Sequence, residues 1–130
     1  MSPAMTIMIF LTSVTAASAQ QPGTFTSPAH FAAKDGATLY RDICQGCHMP
    51  QGQGAKGAGA YPALAKDENL AAAGYPVLIV LEGRRAMPAF AALLDDAQVA
   101  AVVNYVRGNF GNRYADAVSA ADVASARPKP

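Results

Sequence analysis

Apolar and polar positions recur along this chain in blocks whose spacing is mostly helical. The clearest block runs from Asp95 to Arg107, where Val99, Val102, Val103 and Val106 fall at i, i+3, i+4 and i+7 and share one helix face. Asp95 with Gln98 three residues on is a capping-box start signal, and Gly108 and Gly111 punctuate the end. Leu39, Tyr40 and Ile43 show the same spacing in a shorter helix that begins at Asp35 or Thr38 and runs into Cys44. Asn69 to Ala73 fits a short helix ending at Gly74. Pro76 suits a helix first turn, and the apolar run from Val77 to Leu81, stopped by Gly83, could be helix or strand by periodicity. No second strand candidate exists to pair with it, so helix is expected. A last short helix is expected from Ser119 to Ala126. Residues 50 to 60 are so rich in glycine that no regular element is expected there. The pattern as a whole predicts an all-α fold of helices and loops without internal repeats.

At the start of the chain, Met5 to Val14 is an apolar run of the length of a secretory h-region, and Ala17 and Ala19 make an A-x-A cleavage pattern. The run is too short for a permanent membrane span, which needs about 20 apolar residues. The expected organisation is a signal peptide over 1–19 cleaved after Ala19, a flexible lead-in over 20–33, one domain over 34–110, and an extension over 111–130 carrying the last short helix and a frayed end from Arg127. The expected location is the periplasm, without a permanent membrane anchor. One element of the leader is missing: Met1 to Ala4 contains no Lys or Arg.

Composition makes this domain look underfilled. The hydrophobic share is 52%, but 29 residues are Ala, aromatics make up 8%, and there is no Trp. Beyond residue 19 only 28 residues are Val, Ile, Leu, Met, Phe or Tyr. So small a core gains from a staple, a metal or a buried cofactor. The formal net charge of +1, with no run of either sign, argues against nucleic-acid binding. It also predicts a largely apolar docking patch with weak salt dependence. Arg84 and Arg85 are the one basic doublet, which either neutralises an anionic group in a pocket or is solvated.

Both cysteines lie in Cys44-Gln-Gly-Cys47-His48. C-x-x-C-H is the haem c attachment pattern: two thiols add to two vinyl groups on one edge of the macrocycle, and the adjacent imidazole reaches the iron. Zinc would need a fourth ligand, and the one other histidine is His30, in the lead-in. A thioredoxin-type pair wants a βαβ setting. A disulfide between Cys44 and Cys47 would close too short a loop to add much stability. The sixth iron ligand follows by elimination among Met1, Met5, Met8, Met49 and Met87. Three are in the leader, and Met49 adjoins His48 and cannot reach the opposite face. That leaves Met87, in Arg84-Arg-Ala-Met-Pro-Ala-Phe90, with a gap-filling role for Met87, His30 as ligand, Lys, or an open site as alternatives.

From Lys34 to Phe110 the chain resembles the class I c-type cytochromes, through G-A-T-L-Y-R-D-I-C-Q-G-C-H, Y-P-A-L at 61–64, M-P-A-F at 87–90 and the helix that follows. The resemblance implies one covalent haem c wrapped by helices and loops, bound by Cys44, Cys47, His48 and Met87, with iron held by His48 and Met87. It also implies that the Pro62 carbonyl takes the Nδ1 proton of His48, and that Gly36 and Tyr40 pack against Tyr105. Tyr61, Pro62, Leu64, Arg84 and Phe90 are the expected pocket residues. The segment from Met87 to Arg113 is more closely similar to the last haem domain of the multihaem cytochrome subunits of membrane-bound alcohol and gluconate dehydrogenases. This chain differs in having one C-x-x-C-H rather than three.

The resemblance and the site together lead to an expected function. No carboxylate pair and no Ser, His, Asp set suggests bond-making chemistry, so the chain is expected not to be an enzyme. A six-coordinate iron exchanges electrons with little rearrangement, which points to a periplasmic respiratory-chain carrier. It would take electrons from a dehydrogenase and pass them to an oxidase or another cytochrome. Partners would dock where Gln45, Gly46, the glycine-rich loop and residues 84–90 ring the haem edge, in small transient encounters. Two rivals remain: a tightly bound dehydrogenase subunit using residues 111–130 for attachment, and a haem enzyme or gas sensor in which Met87 is labile.

Overall fold

The computed structural model describes residues 31–57 and 59–129. The expected signal peptide, most of the lead-in and His30 lie outside the described residues. Asp35 caps the first helix by accepting a hydrogen bond from the Thr38 amide at 2.8 Å. Helix α1 (Gly36–Leu39) then widens into a π-helical turn (Tyr40–Cys44), closed by Gln45 N–H to Tyr40 O, and tightens again into α2 (Gln45–His48). The run from 36 to 48 is therefore continuous and delivers the C-x-x-C-H segment at its end. The π turn falls where that segment begins, a position such turns favour near functional sites.

The fold is mostly helical but not all-α. Strands β1 (Ala55–Lys56) and β2 (Ala60–Tyr61) pair antiparallel, Ala55 with Tyr61 and Lys56 with Ala60, inside the stretch where no regular element was expected. Strands of two residues are too short to show alternation, and the glycines that argue against structure are what allow the hairpin. Gly52 and Gly54 take φ of 65° and 66°, where a side chain would be strained.

A 3-10 turn (Glu68–Ala71) capped by Asp67 stands where a short helix was expected over 69–73, and Gly74 begins helix α3 (Gly74–Glu82) rather than ending its predecessor. Pro76 lies in the first turn of α3 and Gly83, at φ 71°, stops it, so the apolar run at 77–81 is helical. Helix α4 (Asp96–Gly108) has the expected capping box: Gln98 N–H to Asp95 Oδ1 at 2.8 Å, and Asp95 N–H to Gln98 Oε1 at 3.0 Å. Helix α5 (Ala120–Ala126) is capped by Ser119.

Helix α4 is the hub, packing against α1, α3 and α5. Its face of Val99, Val102, Val103 and Val106 is buried, as the periodicity requires. Helix α1 crosses it at Gly36, where a Cβ would overlap the Ala101 carbonyl and come within 2.6 Å of Tyr105 Cβ. Beside the crossing, the rings of Tyr40, Tyr105 and Phe110 stand 4.8 to 5.7 Å apart. Gly36 and Tyr40 thus meet Tyr105 at this crossing.

Polar side chains of α4 bind the first described residues and the C-terminal extension. The Nε2 of Gln98 donates to the carbonyls of Phe31 at 2.6 Å and Ala33 at 2.7 Å, holding the last residues of the expected flexible lead-in. Arg107 is 1% exposed, and its guanidinium donates to Leu70 O at 2.9 Å, Ala71 O at 3.3 Å, and both the carbonyl and carboxylate of Asp116, while lying 5.6 Å from the Tyr114 ring centre. This pairing holds the Asp116 carboxyl below its usual range. Asn104 both donates to Val118 O and accepts from Val118 N–H at 2.8 Å. Val118 and Val123 are buried. Arg127, the first residue of the expected frayed end, is instead docked, binding Asp96, Ala91 O and Leu94 O.

The helix crossing gives a direct test. Gly36→Ala forces α1 off α4 and is expected to lower the unfolding free energy of the cofactor-loaded protein by about 2 kcal/mol, within the range for overpacking. Gly74→Ala, whose new Cβ meets nothing within 4 Å, serves as the control. Equal chemical-denaturation midpoints for the two variants would refute the crossing.

Candidate functional site

The site starts from the exit of α2. His48 is buried, at 8% exposure, and its Nδ1 lies 3.0 Å from the Pro62 carbonyl oxygen. A carbonyl can only accept, so Nδ1 carries the proton, which leaves Nε2 as the ring nitrogen available to a metal. Several contacts fix this exit. Met49 leaves the helix at φ 67°, and its carbonyl accepts the Tyr40 hydroxyl at 2.7 Å. Burial pushes the Tyr40 phenol up to about 12, with the Cys44 and Tyr105 side chains adding to the effect. Gly54 N–H donates to His48 O at 3.0 Å, while Gly52 O accepts from Leu64 N–H at 2.7 Å and Ala65 N–H at 2.9 Å. A Cβ on Gly54 would lie 2.7 Å from the Pro62 carbonyl carbon, so the residue that presents the acceptor to His48 packs directly on a glycine.

Facing His48 is the segment after α3. Arg84 and Met87 exchange backbone hydrogen bonds, both 3.0 Å, closing a tight turn. Arg85 occupies that turn at φ 55°, in the left-handed region that favours glycine. Such strain concentrates where a fold must present a neighbouring group at a set position. Gly83 permits it, because a Cβ there would come within 2.7 Å of Pro88 C and Ala89 N. Phe90 N–H to Val80 O at 3.0 Å and Ala91 N–H to Leu81 O at 3.2 Å then bind the segment back onto α3.

Two adjoining clefts, of about 510 and 180 Å³, lie between these walls, and Cys44, His48, Pro62, Tyr75, Ile79 and Met87 border both. Cys47, Tyr61, Arg84 and Phe90 border the larger and Leu64 the smaller, so the structure brings all the sequence-selected residues to one place. Residues that the sequence did not single out also line it: Tyr75, Ile79 and Val80 from α3, Leu70 from the 3-10 turn, and Val102, Val103 and Val106 from α4. The valines had a signal, the helical stripe, but the stripe did not reveal that part of the face borders a cleft. Tyr75 had none.

Cys44 is half-buried and Cys47 exposed. Burial, with Cys47 close by, pushes the Cys44 thiol up to about 11, the opposite of the depressed value that a redox-active thiol pair needs. Among the described residues no three His, Cys, Asp or Glu side chains converge on a point where they could hold a metal by themselves. The donor set is instead two thiols, one imidazole and one thioether around apolar walls, which suits a flat apolar macrocycle carrying a metal. Lys56, Arg84 and Arg85 border the larger cleft, and no Asp or Glu does. The near-neutral net charge thus hides a locally cationic rim on the larger cleft, whose lining is otherwise mostly apolar. No helix among the described residues is long and apolar enough to cross a membrane.

Residues 31–106 match the family described as cytochrome c oxidase, cbb3-type, subunit III. The chain is also 38% identical over 104 residues to the gluconate 2-dehydrogenase cytochrome c subunit of Pantoea cypripedii, covering 71% of this chain and 24% of that relative. It therefore spans about a quarter of that relative's length.

The packing of Pro62 on Gly54 predicts a measurable effect. In the cofactor-loaded protein Gly54→Ala displaces the Pro62 carbonyl, weakens its bond to His48 and makes the imidazole a poorer donor. The reduction potential is expected to rise by about 30–60 mV, up to a tenfold change in relative binding for a one-electron couple. Potentiometric titration checks this; an unchanged potential with a displaced loop would show that the carbonyl does not tune His48.

Proposed function

The chain belongs to the family described as cytochrome c oxidase, cbb3-type, subunit III, a c-type cytochrome domain, and from that premise we propose that it carries single electrons between a dehydrogenase and a downstream acceptor. Its cofactor is haem c, which when bound supplies a one-electron couple at iron. In this reading Cys44 and Cys47 would hold the group covalently, and His48 and Met87 would bind its iron. The observation that carries the assignment is that His48 and Met87 border the same pair of clefts, His48 with Nδ1 committed to Pro62.

The remaining residues act by holding and excluding. Leu64, Leu70, Ile79, Val80 and the α4 valines keep water from the ligands, and an apolar surround with a neutral sulfur ligand disfavours the extra charge of the oxidised state. Both ligand segments are bound to helices by backbone hydrogen bonds, so gain or loss of an electron requires little movement. Tyr61, Arg84 and Phe90 border the outer opening, and Arg84 or Arg85 supplies positive charge for an anionic edge of the group. With His48 and Met87 both on the iron no position would remain for a substrate, which fits a carrier rather than an enzyme. The acceptor is an oxidase or another cytochrome. The chain is exported to the periplasm and processed after Ala19, with 34–110 as the functional domain and 111–130 as its extension.

A second reading is favoured by one finding: the similar protein from Pantoea cypripedii is named as a subunit, which suggests a chain held permanently by its dehydrogenase. Attachment through 111–130 is constrained, because Val118, Val123 and Arg127 are already engaged within the domain. Co-purification with a dehydrogenase from native periplasm would support the subunit reading; elution as a monomer would support the free carrier.

The axial assignment is tested by spectroscopy. The ferric protein is expected to show the weak far-red sulfur-to-iron charge-transfer band, and Met87→Ala is expected to lose it completely. The ferrous wild type should resist carbon monoxide while the ferrous variant binds it. A band that survives in Met87→Ala, or ready binding by wild type, would remove Met87 from the iron and with it the carrier reading.

A further inference from the structure

We infer that Arg127, at the end of the C-terminal extension, is a positioning residue for Met87, latching the far end of the segment that carries the thioether. This rests on the reading of Met87 as an axial ligand. The guanidinium donates through Nε to Asp96 Oδ1 at 2.7 Å, through Nη1 to Ala91 O at 2.5 Å, and through Nη2 to Leu94 O at 3.0 Å. All three acceptors lie between Met87 and the first turn of α4. Ala91 is held from both sides, its N–H by Leu81 O and its carbonyl by Arg127.

The latch has a firm base. Arg127 N–H bonds to Val123 O at the end of α5, Val123 is fully buried, and the Asn104 pair with Val118 fixes the entry to that helix. A continuous path therefore runs from α4 through α5 and Arg127 to Ala91, four residues beyond Met87. The turn at 84–87 contains Arg85 in a left-handed conformation, so the Met87 segment is held in place against a local preference for other geometries. Releasing Ala91 and Leu94 lets the segment swing away more often, without melting the helices. A lysine at 127 keeps the charge near Asp96 but has no planar fork with which to bind both carbonyls.

The test uses ferric haem-loaded protein well below its unfolding transition and measures the rate at which added imidazole replaces Met87, followed by loss of the far-red band. Arg127→Ala is expected to accelerate replacement about tenfold, the effect of one charge-assisted hydrogen bond, with Arg127→Lys in between. Gly36→Ala, which weakens the fold at a distant crossing, gives the rate that a loss of stability alone produces. The inference stands if Arg127→Ala exceeds Gly36→Ala at matched stability, and is overturned if the two coincide. Should Arg127→Ala fail to accumulate, Arg127→Lys against the same control decides in the same way. If Met87→Ala loses the band while the Arg127 variants exchange at the control rate, the latch fails and the ligand assignment survives. If Met87→Ala keeps the band, both fail.

Discussion

The hydrogen bond between His48 Nδ1 and the Pro62 carbonyl, 3.0 Å long, is the contact on which the rest of the site depends. It fixes the tautomer, leaves Nε2 free to bind iron, and sets the angle of the ring at the cleft wall. Much of the region from 49 to 65 serves to put that carbonyl in place. Gly52 and Gly54 turn the chain in the left-handed region, the small β1-β2 hairpin brings Tyr61 and Pro62 back toward α2, and Gly52 O anchors Leu64 and Ala65. The glycines cost conformational entropy, and the structure they permit could not be made with side chains at those positions.

The opposite wall is built by different means. The Met87 segment is held not by a bond to the functional side chain itself, as Pro62 O holds His48, but by backbone hydrogen bonds to the end of α3 and a strained turn at Arg85. A thioether has no N–H or O–H to donate and its sulfur is only a weak acceptor, so its position comes mainly from the backbone that carries it. The extension as far as Arg127 belongs to this arrangement. Arg107 and Arg127 each spend several donors on main-chain carbonyls, tying the extension to the 3-10 turn on one side and to the segment after Met87 on the other.

The composition fits this architecture. A chain with 29 alanines and no Trp leaves few large side chains to fill a core, and the residues that do pack form one cluster centred on α4 and continuous with the cleft lining. Val102, Val103 and Val106 belong to the cluster and border the cleft at once. In the proposed reading the covalently held haem c would cover these apolar walls. Ala and Gly let helices and loops lie close enough for this, as at Gly36 against Ala101 and Tyr105.

What the sequence determined by itself was local or chemical: the C-x-x-C-H motif at 44–48, the capping box at Asp95 and Gln98, the valine stripe of α4, the stop at Gly83, and Met87 as the candidate left among five methionines. Each is a matter of residue type at short spacing. Only the tertiary structure decided the hairpin in the glycine loop, the burial of Arg107, the latch at Arg127, the cationic rim, and the part of the α4 stripe that borders the cleft. The reason is physical: strands of two residues are too short to show alternation, and the arginine contacts depend on main-chain carbonyls brought to them over 33 to 37 residues of chain. Every residue has a carbonyl, so an acceptor such as Leu70 O or Ala91 O leaves no mark in the sequence, and an arginine seeking one looks the same on paper as an arginine in water.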